Sequence, residues 1–105
     1  MTVKIDFSKL EGFDWDKGNL DHIKKHKVGY EECEQVFLNR PFLVSKDQAH
    51  SKTEDRFEVL GKTNDERLLF VVLTVRKGKI RVVSARDQNR KERRRYEKTK
   101  ENTEI

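Results

Sequence analysis

Residues 67–76 (RLLFVVLTVR) constrain this chain more than any other stretch. Leu68, Leu69, Phe70, Val71, Val72 and Leu73 follow one another without a polar break. A strand that is apolar on both faces has to be covered on both, so it belongs in the middle of a sheet. Lys77-Gly78 comes straight after it, and glycine takes the positive φ that a tight hairpin needs. Residues 79–85 (KIRVVSA) then return as an alternating strand. Upstream, residues 56–62 also alternate: Phe57, Val59 and Gly61 point one way, and Arg56, Glu58 and Leu60 the other. Asn64-Asp65-Glu66 is the turn between these two strands. Residues 42–46 make a further short strand, followed by a polar loop at 50–55. Strands joined by such short turns form an antiparallel meander.

The N-terminal half carries the helical period. Asp16 is a natural N-cap for a helix with Leu20 and Ile23 on one face. Lys24, Lys25 and His26 lie near its end, where cations complement the helix dipole. Gly29 separates it from a second helix at 30–39, on which Tyr30, Cys33, Val36 and Phe37 form one apolar stripe. Pro41 stops that helix. Phe13 and Trp15 alternate with Asp14 and Asp16 as a brief strand, and residues 1–12 read as a mobile lead-in. At the other end, Ser84 to Asp87 has the form of a capping box, so a last helix is expected to begin there and to fray past Lys100. The fold class is α+β: a small antiparallel sheet with two N-terminal helices and a C-terminal helix, the helices gathered on one face and the other face partly free. With 105 residues and no linker or repeat, one domain (1–105) is expected.

The last helix is almost all charge, with five arginines between Arg86 and Arg95. The whole chain has a formal net charge of +5. That balance favours a polyanion or an acidic protein as partner. Read without further information, the helix is a solvated face laced by pairs such as Asp87 with Lys91 and Arg93 with Glu97. The single cysteine, Cys33, forms no internal disulfide, which suits a reducing compartment, and its place on the apolar stripe makes it a core residue. No apolar run has signal-peptide or membrane-spanning length, so a cytoplasmic location without membrane contact is expected. His22 and His26 are four apart, a zinc spacing, but two lysines lie between them and the usual glutamate is missing, so no metal site is expected.

The order of these pieces resembles the BrnT family, the ribonuclease halves of bacterial type II toxin–antitoxin pairs. The matching residues are Phe13-Asp14-Trp15-Asp16, Asn19 leading to Lys25-His26, and the helix from Glu31-Glu32 to Val36-Phe37. Arg56-Phe57 with Gly61 and the strand at 68–75 follow. Val83-Ser84-Ala85-Arg86 closes the match, with Glu92-Arg93 and Tyr96-Glu97. The resemblance implies a RelE-like fold, RNA cleavage without a metal or other cofactor, and a cognate BrnA-like antitoxin. It also implies contact with operator DNA only as the toxin–antitoxin complex. One departure concerns the turn after the Lys-His pair, where the family usually has glycine and this chain has Lys27. Either Lys27 takes a left-handed conformation, at a cost of about 1 kcal/mol, or Gly29 assumes that role and the turn shifts.

Under that resemblance the chemistry is attack of the ribose 2′-hydroxyl on the adjacent phosphorus. It needs a base for the 2′ proton, cations for the phosphoryl oxygens and an acid for the leaving 5′ oxygen. Arg86 and Arg56 are the candidate charge-holding residues, because arginine contacts two phosphoryl oxygens at once. Arg81 is a further candidate, but strict alternation puts it on the opposite face from Arg86 unless the strand bulges. His26, Glu92, Glu58 and Tyr96 are candidates for base and acid, with the roles left open. Lys25, Arg81, Arg90, Arg93 and Arg94 are candidate RNA contacts. The alternative is a non-catalytic basic module that binds nucleic acid or an antitoxin.

Overall fold

A computed structural model describes residues 7–50 and 54–103. The first half of the expected lead-in (1–6) and the middle of the expected polar loop (51–53) lie outside the described residues. Helices α1 (Lys17–Lys24) and α2 (Tyr30–Leu38) precede strands β1 (Leu43–Lys46), β2 (Arg56–Lys62), β3 (Leu68–Arg76) and β4 (Lys79–Asp87), and helix α3 (Arg90–Thr103) follows. The four strands form one antiparallel sheet in the order β1-β2-β3-β4. β3 is an inner strand, as its unbroken apolar run predicts, but only one of its faces is sealed: Phe70 and Val72 on the other are half-buried. Lys77 and Gly78 at its end have φ of 51° and 77°, the two successive positive values of a type I′ hairpin.

One face of the sheet carries the core. Phe57 and Val59 of β2, Leu69, Val71 and Leu73 of β3, and Ile80, Val82 and Ala85 of β4 pack with Ile23, Val28, Cys33 and Val36 from the helical layer. Each fully buried aliphatic side chain contributes about 1.5–3 kcal/mol to this layer. Gly61 lets α2 come close: a Cβ there would lie 2.6 Å from Val36 Cγ1. Asp16 caps α1 in a reciprocal capping box with Asn19, whose buried amide also donates to the carbonyls of Asp14 and Val82. That one side chain ties the helix start to β4. Phe13 makes a single bridge to Ile80 in place of a strand, and Phe7, from the expected lead-in, packs its ring on Phe37 and Phe42.

The turn after α1 resolves in favour of the left-handed alternative. Lys27 has φ of 58°, and Gly29 instead serves as the extended N-cap residue of α2.

Two expectations are corrected at the C-terminal end. The last helix does not start at Ser84. β4 runs on to Asp87, with Ser84 paired to Val72 and Arg86 to Phe70, and the capping box is the reciprocal pair Asn89–Glu92. Asp87 therefore bonds Arg67 instead of Lys91. Nor do all helices share one face. α3 packs on β2 from the side opposite α1 and α2, where Leu60 and Tyr96 are the buried side chains. Among the described residues no other helix covers that second face, on which Thr74 is nonetheless 1% exposed.

Candidate active site

The register arranges the open face in rows. Ser45, Glu58, Val72 and Ser84 cross all four strands in one row. On one side of it lies the row Leu43, Leu60, Phe70 and Arg86, and on the other the row Arg56, Thr74 and Arg81. The arginines of β4 share this face because the strand bulges. Val72 pairs with Ser84 but Leu73 pairs with Val82, so Val83 is an extra residue and the alternation is reset. Arg81 and Arg86, an odd number of residues apart, thus face the same way.

Arg86 is held from several sides. Its guanidinium lies over the Phe70 ring, 4.1 Å from the centroid, a cation–π contact that fixes its plane. Of its five N–H donors, Nη1 and Nη2 each give one to Glu92, at 2.8 and 3.0 Å, and Nη1 gives its second to the Asp87 carbonyl at 3.0 Å. The remaining edge, Nε–H with the second N–H of Nη2, has no partner among the described residues. That edge is the one a phosphate takes in a two-point contact. Glu92 is itself fixed, since its backbone N–H and carboxylate form the Asn89 capping box.

Two carboxylates near Arg86 are pushed in opposite directions. Glu58 is raised above the ordinary glutamate value, chiefly by burial and then by the negative charge of Asp47. Arg95 and Arg86 act against the rise, and Glu92 adds to it. For Glu92, burial alone would raise the carboxyl, but the Arg86 hydrogen bond, the Asn89 N–H and the charges of Arg86 and Arg95 together hold it below the usual range. Burial thus favours the protonated form of Glu58, and the Arg86 and Asn89 hydrogen bonds favour the ionised form of Glu92.

The other candidates fall elsewhere. Tyr96 has 0% exposure, its hydroxyl donates to the Pro41 carbonyl at 2.9 Å, and burial raises its pKa. It docks α3 on the sheet. His26 lies in the exposed turn after α1, on the helical side of the sheet. That turn is tied to β4 by Arg67, which contacts the carbonyls of Lys27 and His26, the Glu32 carboxylate and Asp87. Arg56 shares the open face with Arg86, but their rows are four β3 residues apart, about 13 Å. One phosphate does not reach both. Arg81 is gripped by Asp16 and Asp14 at 2.9 and 3.5 Å. Lys25, Arg90 and Arg94 are exposed, and Arg93 donates to the Gln88 carbonyl at the helix start.

Arg95 and Arg67 were not singled out by sequence reasoning. A signal existed for Arg95, since it stands three residues after Glu92 on α3, a spacing at which side chains are neighbours. None existed for Arg67, whose four partners come from three distant segments. Burial drives the Cys33 thiol up to about 12, aided by Glu32 and Glu34, which makes it an inert core residue. Among the described residues no group of three or more His, Cys, Asp or Glu side chains converges as a metal site would require.

No curated protein matches this chain. A family model described as the ribonuclease toxin BrnT of type II toxin–antitoxin systems matches residues 15–92. The match runs from Trp15 through every strand and stops at Glu92, so it includes the open face with Glu58, Arg86 and the Glu92 clamp. The chain belongs to the BrnT family of type II toxin–antitoxin ribonuclease toxins.

Proposed function

We propose that this toxin is a metal-independent endoribonuclease that cuts RNA on the open face of the sheet, through attack of the ribose 2′-hydroxyl on its own phosphodiester. The carrying observation is the Arg86 constellation: a guanidinium stacked on Phe70, clamped by Glu92, with one two-donor edge unused beside a carboxyl of raised pKa. Arg86 holds the phosphoryl oxygens as negative charge builds on them. Glu58, once ionised, takes the 2′ proton. Arg95 adds positive charge next to both. Glu92 stays ionised and keeps Arg86 in plane. The 2′ oxygen bonds to phosphorus as the P–O5′ bond breaks, and the leaving 5′ oxygen takes its proton from solvent water at the exposed face, so the products are a 2′,3′-cyclic phosphate and a 5′-hydroxyl, and DNA, lacking the nucleophile, is inert.

A type II toxin has an antitoxin partner as well as an RNA substrate. The basic surface, with its net charge of +5, suits an acidic BrnA-like protein that covers this face, and operator DNA would be met only by that complex. No described helix is long and apolar enough to cross a membrane, and the proposed site of action is the cytoplasm, where the RNA is.

The direct test is incubation of the purified chain with RNA in EDTA. Cleavage is expected, and intact RNA beside an active control nuclease would end the proposal. Arg86→Ala is expected to lower the rate at least tenfold, about 1.4 kcal/mol of barrier. Arg86→Lys should fall between, because an ammonium keeps the charge and loses the fork. A folded Arg86→Ala protein that cuts at the wild-type rate would remove Arg86 from the site.

A further inference from the structure

The open face has a second concavity that the chemistry at Arg86 does not use. It has a volume of about 240 Å³ and lies between the first turn of α1 and the Arg56–Thr74–Arg81 row. Arg56, Arg76 and Arg81 line it, with His22 from α1 and, among the described residues, one acidic side chain, Glu54. Arg81 is fixed from behind: both Asp16 oxygens bond its terminal nitrogens, and Asp14 lies 3.5 Å away. Arg76 is held differently. Its side chain is 51% exposed, and its Nε and Nη2 bond Glu54 at 3.3 Å. The same carboxylate lies 3.9 Å from Arg56 Nε.

We infer that this concavity is a second phosphate subsite, which takes a neighbouring backbone phosphodiester of the RNA held at Arg86, and that Glu54 is the internal anion which that phosphate displaces. The inference rests on the reading that Arg86 holds the scissile phosphate. Glu54 already sits where an anion is wanted, between two guanidiniums from different strands. A phosphodiester offers tetrahedral oxygens to donors arriving from several sides, which a planar carboxylate cannot match. The subsite also lies in line with Arg86 on the same face, about 13 Å along β3, so a single RNA strand passing Glu58 reaches both. The walls are polar except for Val82 and Val83, which gives an apolar protein anchor little to bury against.

The test is binding of a non-cleavable 2′-O-methyl RNA oligonucleotide to the full chain, followed by fluorescence anisotropy over a range of salt. Arg76→Gln is expected to weaken binding roughly tenfold and to lower the slope of log K against log salt by about 0.7, the value for one phosphate on a single strand. Glu54→Gln is expected to tighten binding, an outcome that a damaged fold cannot mimic. Replacing single linkages by neutral methylphosphonates should reveal one linkage, away from the scissile one, whose replacement weakens wild type and not Arg76→Gln. Wild-type affinity and salt slope in both variants would overturn the subsite. So would variants that alter only the binding of inorganic phosphate, or only that of an antitoxin. Cleavage plays no part in this readout. A chain that shows both shifts but never cuts keeps the subsite and loses the catalytic proposal, and a chain that cuts with neither shift does the reverse.

Discussion

Glu58 and Glu92 flank the same arginine and differ in what surrounds them. Burial and like charge raise Glu58, whereas the Arg86 and Asn89 hydrogen bonds overcome burial at Glu92. If Glu58 is the base, activity rises with pH as its raised carboxyl ionises, and falls in acid. Glu58→Gln is expected to lower cleavage about 100-fold and to flatten the acid limb of the pH–rate profile. Stability moves the other way. A carboxyl whose folded pKa lies above its unfolded value favours the fold when protonated, and that contribution is lost as pH rises through the folded pKa. Glu58→Gln should therefore raise Tm at neutral pH, and the gain should vanish in acid. An unchanged Tm at neutral pH would deny the raised pKa. At this scale the sequence was only partly legible. It ranked His26 and Glu92 ahead of Glu58 and Tyr96, because residue type says nothing of burial. Only the packed structure turns Tyr96 inward to Pro41 and leaves His26 on the helical side.

The elements were more legible than the residues, since periodicity is written in the chain. The alternation of 56–62 and the unbroken run at 68–73 placed β2 and β3 correctly. The end of β4 was not legible, because Ser84…Asp87 and Asn89…Glu92 both satisfy the capping pattern. Pairing of Ser84 with Val72 and Arg86 with Phe70 decides between them. The bulge at Val83 was equally hidden, yet it is what brings Arg81 and Arg86 to one face. Lys27, at φ 58°, carries strain that glycine would relieve. Lys27→Gly is expected to stabilise the fold by about 0.5–1 kcal/mol net of glycine's own entropy cost, seen as a rise in Tm of about 4 °C. A fall in Tm would mean that the lysine side chain makes a compensating contact. Gly61→Ala should act in the opposite direction, costing about 1–3 kcal/mol in denaturant unfolding, because its methyl would meet Val36 across the α2 interface.

Over the whole molecule the two faces of the sheet divide the work. One is sealed by α1 and α2 over an aliphatic core, and it holds β2, β3 and β4 in a fixed register. The other is covered at one end by α3 and presents its charged rows to solvent. Composition shows only an excess of positive charge, and which charged side chains share the second face depends on register and the placement of α3. The central claim is that this face positions a ribose to attack its own phosphodiester beside Arg86. The most direct measurement is end-group analysis of the RNA fragments released by the purified chain in EDTA. The expected fragments end in 2′,3′-cyclic phosphate and begin with 5′-hydroxyl. Fragments that end in 3′-hydroxyl and begin with 5′-phosphate would show that water attacks instead, and would contradict the claim.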